Sequence, residues 1–307
     1  MNHGGMEVAR QLAELGVRSL FTLCGGHISP ILCGCAELGI TVVDVRDEAT
    51  AVFAADAVSR LTGIPGVAAV TAGPGVTNTL TAMQNALLAQ SPLILLGGAS
   101  ATVLRGRGSL QDIDQMSVIR PHVKLALTVK AVRDIRPALV EAFRVAMHGV
   151  PGPVFIELPI DLLYPEATVR EWYGIKGSEQ AAGGLVKKAL GLYLDYHTNR
   201  MFRGASTALA DGPGFAGESG GAPEALPMIR AEGGASLSGR ALALAAAPLG
   251  RVNHATLALL AGRALRKARR PVLLIGSQSV RSPQAARQVV AVVEALNLPV
   301  FLSGMAR

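Results

Sequence analysis

The sequence predicts an α/β fold: a doubly wound parallel sheet, then a long linker, then the start of a second α/β unit. Three observations carry this. Short runs rich in Val, Ile and Leu recur between residues 19 and 158 without the polar–apolar alternation of a half-wet strand. Longer amphipathic stretches separate them at βαβ spacing. An Ala/Gly-rich stretch then breaks the pattern, which resumes near residue 253.

The elements follow in order. A helix over 6–15 leads into a strand over 19–23, and a helix over 30–38, opened by Pro30, leads into a strand over 41–45. Glu48 falls in the first turn of a helix over 48–61, where an acid favours the positive end of the helix dipole. A strand over 66–71, a helix over 76–89 and a strand over 93–96 complete a second βαβ repeat. A strand over 125–129, a helix over 133–148 and a strand over 154–158 close the first domain, residues 1–165.

Residues 166–250 read as a linker or insert, partly disordered. Residues 204–250 alone hold 10 Gly and 13 Ala with no lasting period, and Asp211-Gly-Pro-Gly is a loop signal. Residues 251–307 then give a helix over 253–267, a strand over 271–275, a helix over 283–296 and a strand over 299–302. That is too little for a complete doubly wound domain, so this unit is expected to be cut short.

Composition excludes several classes. At ~150 residues per domain, 307 residues suggest two domains, and 50 % hydrophobic residues can fill a core. Three cysteines exclude a disulfide scaffold, and no apolar run reaches the ~18 residues of a membrane span. Residues 1–164 carry 12 Lys/Arg against 13 Asp/Glu, while residues 165–307 carry 17 against 9. The densest basic run, Arg263, Arg266, Lys267, Arg269 and Arg270, sits where cations favour the negative end of a helix. With aromatics at 4 %, a nucleic-acid surface is not expected.

Several motifs bear on chemistry. Glu48 lies just beyond a strand's carboxyl end, where open α/β sheets place ligands, and Ala49, Ala51, Val52 and Phe53 would strip water from it. On pattern alone the structural reading, a helix-end acid, is the preferred one. Thr71-Ala-Gly-Pro-Gly-Val-Thr-Asn78 is a strand exit whose glycines permit close backbone approach, or else a plain tight turn. Cys24-Gly-Gly-His27 occupies the same position after the first strand. With Cys33 and Cys35 it lacks metal-ligand spacing, so no metal ligand is assigned. Gly212-Pro-Gly-Phe-Ala-Gly217 matches GxGxxG but follows no strand and opens no helix. Asp112 and Asp114 are weak candidates for Mg²⁺.

Taken in order, the segments resemble the thiamine-diphosphate enzymes of the acetolactate-synthase type. The matching pieces are Cys24-Gly-Gly-His, Arg46-Asp-Glu-Ala, Ala54-Ala-Asp-Ala, Thr71-Ala-Gly-Pro-Gly-Val-Thr-Asn, Gln111-Asp-Ile-Asp and Gly152-Pro-Val-Phe-Ile-Glu-Leu-Pro-Ile-Asp161. Arg270-Pro-Val-Leu-Leu-Ile-Gly-Ser-Gln resembles the first strand of the family's middle domain. Gly25-Gly-His-Ile-Ser-Pro30, Pro159-Ile-Asp-Leu-Leu-Tyr164 and Phe301-Leu-Ser-Gly-Met-Ala-Arg307 resemble the 2-hydroxyacyl-CoA lyase subgroup.

The resemblance implies that residues 1–165 are a pyrimidine-binding domain. It implies that Glu48 hydrogen-bonds N1′ of the aminopyrimidine and favours the tautomer that deprotonates thiazolium C2. Gly25 and Gly26 would line the pocket, Pro74 and Asn78 would lie near the pyrimidine, and Gln111 would face the reacting centre. The cofactors implied are thiamine diphosphate and Mg²⁺; FAD in the middle domain stays open.

Family members grip the diphosphate through Mg²⁺ in a third domain marked by Gly-Asp-Gly and a later Asn, and Ala210-Asp-Gly-Pro is the nearest string here. The metal ligands are therefore expected outside this sequence, on a partner subunit of a homodimer or homotetramer. The implied reaction is cleavage of 2-hydroxyacyl-CoA to formyl-CoA and a shortened aldehyde. The alternatives are condensation of 2-oxo acids to acetolactate, and a catalytically silent chain that pairs with longer subunits. The subgroup suggests the endoplasmic reticulum membrane, but Met1-Asn-His-Gly-Gly carries no anchor, so the expectation for this chain is cytoplasmic.

Overall fold

The computed structural model describes residues 3–174, 185–204, 254–269, 271–280 and 283–302. The chain runs α1 (Gly4–Glu14), β1 (Ser19–Thr22), α2 (Ser29–Glu37), β2 (Thr41–Asp44), α3 (Glu48–Thr62), β3 (Gly66–Val70), α4 (Pro74–Thr77), α5 (Leu80–Leu88) and β4 (Leu93–Ala99). It continues through α6 (Gln115–Ile119), β5 (Leu125–Thr128), α7 (Ile135–Met147), β6 (Pro153–Pro159), α8 (Ile160–Leu163), α9 (Glu166–Trp172) and α10 (Leu185–Phe202).

The six strands form one parallel sheet in the order β2-β1-β3-β4-β6-β5. β3, β4 and β6 are buried along their whole length, which is why their sequences do not alternate. Successive side chains nevertheless serve opposite layers. Val67, Ala69, Ile94, Leu96, Val154 and Ile156 pack with α1, α2 and α7, while Ala68, Val70, Leu93, Leu95 and Phe155 pack with α3, α5 and α6.

The connection from β1 to β2 runs over the first face through α2, and that from β2 to β3 over the second through α3. The winding therefore reverses between β1 and β3, which opens a crevice at their carboxyl ends.

Two features differ from expectation. The helix expected over 76–89 is divided into α4 and α5 around Asn78 and Thr79. Residues expected to be linker hold α9 and α10, and α10 buries Thr198 and Met201 against the sheet domain. The rest of that stretch, with the Gly212–Gly217 string, lies outside the described residues.

Further along, α11 (His254–Lys267), β7 (Leu273–Ile275), α12 (Pro283–Leu296) and β8 (Val300–Leu302) form a separate piece with two parallel strands. Arg263, Arg266 and Lys267 are exposed, the last two in the final turn of α11. Among the described residues, no helix is long and apolar enough to cross a membrane.

Candidate functional site

The crevice is built from the turns after β1 and β3, the head of α3 and the long loop after β4. Asp47 caps α3, its carboxylate accepting from the N–H groups of Ala49 at 2.8 Å and Thr50 at 3.3 Å. This fixes the first helical residue, Glu48, which is only 7 % exposed. Its Oε2 accepts from Nδ2 of Asn78 at 3.1 Å. The break between α4 and α5 is what presents that amide, since Asn78 forms the C-cap of α4.

Glycines set how closely the walls approach. A Cβ at Gly25 would lie 2.5 Å from Cβ of Thr71, so the first turn can rest on the third strand's exit only without a side chain. At Gly75 a Cβ would sit 2.8 Å from Cγ2 of Thr71 and 3.7 Å from Oε1 of Glu48, so glycine lets the Thr71 methyl pack close beside the carboxylate. Gly26 differs, with open space where its side chain would be and its carbonyl accepting from the Tyr164 hydroxyl at 3.3 Å. Gly73 opens α4 at φ +62, beside the carbonyl of Gln111.

A second chain of polar contacts crosses the crevice. The Thr71 hydroxyl donates to Oε1 of Gln111 at 3.3 Å, which leaves Thr71 Oγ1 to accept from Nδ1 of His27 at 3.1 Å. Burial holds the His27 imidazole below its ordinary pKa and favours the neutral ring. Gln115 ties the loop down by accepting from the Gly73 N–H at 3.0 Å and donating to the Gly98 carbonyl at 2.9 Å. Gln111 itself has φ +60, a conformation a non-glycine residue keeps only when its surroundings impose it.

Of the residues singled out by sequence, Glu48 and Asn78 touch, and Gly25 and Gln111 meet through Thr71; Pro74 opens α4 beside them. His27 and Gln115 were not assigned to the site, and only their presence in Cys24-Gly-Gly-His27 and Leu110-Gln-Asp-Ile-Asp-Gln115 pointed to them. Asp112 and Asp114 do not form a metal site. Asp112 accepts from the Arg107 N–H at 3.2 Å, and Asp114 caps α6 through the Ser117 N–H and hydroxyl. Among the described residues no cluster of His, Cys, Asp and Glu could hold a metal ion; Cys24 and Cys33 are exposed and Cys35 is buried.

Residues 2–118, the stretch that builds this crevice, match the family described as thiamine pyrophosphate enzyme, N-terminal TPP binding domain. This stretch is similar to the N-terminal domain of the thiamine pyrophosphate enzymes. It is 44 % identical to 2-hydroxyacyl-CoA lyase 2 of Danio rerio over 307 residues, 99 % of this chain and 44 % of the relative. It is also 44 % identical to 2-hydroxyacyl-CoA lyase 2 of Homo sapiens over 308 residues, 100 % of this chain and 43 % of that one. An acetolactate synthase large subunit of Mycobacterium tuberculosis is 42 % identical over 159 residues, 52 % of this chain and 29 % of its own. The chain thus spans less than half the length of the lyase relatives it matches.

Among the described residues, the donor set fits the pyrimidine end of thiamine diphosphate. A shielded carboxylate with one oxygen held by an amide can meet a ring nitrogen through the other.

Proposed function

We propose that this chain supplies the pyrimidine-side half of a thiamine diphosphate site in a carbon–carbon lyase acting on 2-hydroxyacyl-CoA thioesters. The products would be formyl-CoA and an aldehyde one carbon shorter, which together account for every atom of the substrate. The observation that carries the reading is Glu48, shielded at the head of α3 and held by Asn78 in the switch-point crevice. The lyase is favoured over 2-oxo acid condensation because the lyase relatives match along nearly the whole chain, while the acetolactate synthase match covers 52 % of it.

In this reading Glu48 would hold or release a proton at N1′ of the pyrimidine. Asn78 would keep the carboxylate turned inward, and Gly25 and Gly26 would line the pocket. Gln111, with the neutral His27 behind it through Thr71, would orient the substrate's polar end. When bound, thiamine diphosphate supplies an electron sink for the bond being broken. Mg²⁺ is assigned no ligand from the described residues; in this proposal it is held with the diphosphate by a partner subunit.

The test is an assay of a chain carried to the relatives' length, with thiamine diphosphate, Mg²⁺ and a 2-hydroxyacyl-CoA. Formyl-CoA should appear, and Glu48→Gln should lower turnover about 10³-fold without altering the far-UV circular dichroism. Acetolactate formed from pyruvate, with no formyl-CoA, would replace this reading by condensation.

A further inference from the structure

The loop that carries Gln111 to the crevice is anchored at its other end by a buried polar node. Asp161 in α8 is fully buried and accepts three hydrogen bonds on Oδ2: from the Thr102 N–H at 2.8 Å, the Thr102 hydroxyl at 2.5 Å and the Tyr173 hydroxyl at 2.6 Å. With its own proton committed to Asp161, Thr102 Oγ1 accepts from Nε2 of His197 at 2.6 Å. His197 belongs to α10.

α10 is seated by more than this contact. Arg170 donates to Asp195 at 2.7 Å and to Asn199 at 2.6 Å, and Arg133 donates to the Arg203 carbonyl at 2.9 Å just past the helix. Thr198 and Met201 are buried beneath it. Of the residues in the node, only Thr102 falls within the stretch that matches the family.

From Thr102 the chain passes Arg105, paired with buried Glu157 at 2.8 Å, and reaches Gln111 in its left-handed conformation against Thr71. That conformation needs outside constraint, and the loop is held at Thr102, Arg105, Gln111 and Gln115, of which Thr102 is the contact that reaches α10.

We propose that His197 is a positioning residue: through Thr102, α10 holds the loop that presents Gln111, so the segment after the sheet domain sets the geometry of the crevice. This is independent of which reaction the crevice serves.

Hydrogen–deuterium exchange on the whole chain tests it without substrate or cofactor. The loop amides to follow are Thr102, Leu104, Arg107 and Asp112, all hydrogen-bonded. His197→Phe keeps a ring but removes the donor, and should speed their exchange at least tenfold while β3 and β4 keep their protection. His197→Gln restores an N–H of similar reach and should return them to near wild-type rates. Tyr173→Phe, which takes one donor from Asp161 and leaves His197 in place, should speed the loop amides while the amides of α10 stay protected. The proposal fails if His197→Phe leaves the loop unchanged, if exchange rises equally in β3 and β4, or if His197→Gln behaves like His197→Phe.

Discussion

Glu48 owes its position to its neighbours in sequence as much as to the fold. Asp47 stops the backbone in an extended conformation and caps the helix, so the next side chain leaves the helix head at the end of the sheet. The pairing of Glu48 with Asn78 was legible in part, because both motifs sit at strand exits; the distance between them was not. The relay from His27 through Thr71 to Gln111 was invisible in the sequence, since it needs the turn after β1 to lie against β3. His27 also carries a pH signature. Burial lowers its pKa below 6.5, as it does for His3, so the unfolded chain binds protons that the folded one refuses. Their contribution to stability is complete above 6.5 and is lost as the pH falls toward their folded values. The urea midpoint should therefore drop between about pH 7 and pH 5.5, and His27→Gln should flatten that drop.

At the level of elements, six strands and their flanking helices were readable because periodicity is a local property. What could not be read was the order of the last two strands, since nothing in a strand's own residues says that β6 inserts between β4 and β5. α10 escaped notice for a different reason. Its apolar side chains Leu190, Leu192, Tyr193 and Tyr196 face outward, while polar His197 and Thr198 join Met201 on the packed side. A pattern search for an apolar stripe passes over such a helix. Contact between elements also exposes a sensitive point. A Cβ on Gly66 would fall 1.8 Å from the carbonyl of Ala55, so Gly66→Ala must push α3 away from β3. A loss of about 1–3 kcal/mol is expected, measured as a lower urea midpoint, with Glu48 displaced along with its helix.

Among the described residues of the whole molecule, the two sheets are very unequal. Residues 3–204 hold a six-stranded sheet covered on both faces, while the later piece has two three-residue strands and leaves Leu274 and Phe301 68 % and 59 % exposed. A segment ending at residue 204 should melt cooperatively by circular dichroism, and one spanning residues 254–302 should show no transition, because two strands alone are marginal. The strand order has one more effect. Since β6 lies between β4 and β5, the chain leaving β4 must travel over the end of β6 before it can descend, and Arg105 rests on Glu157 along the way. That overpass contributes nothing to either hydrophobic layer between residues 103 and 114. Changes along it, short of Gln111, would leave both apolar layers intact, so the rim of the crevice can be altered without unseating the scaffold beneath.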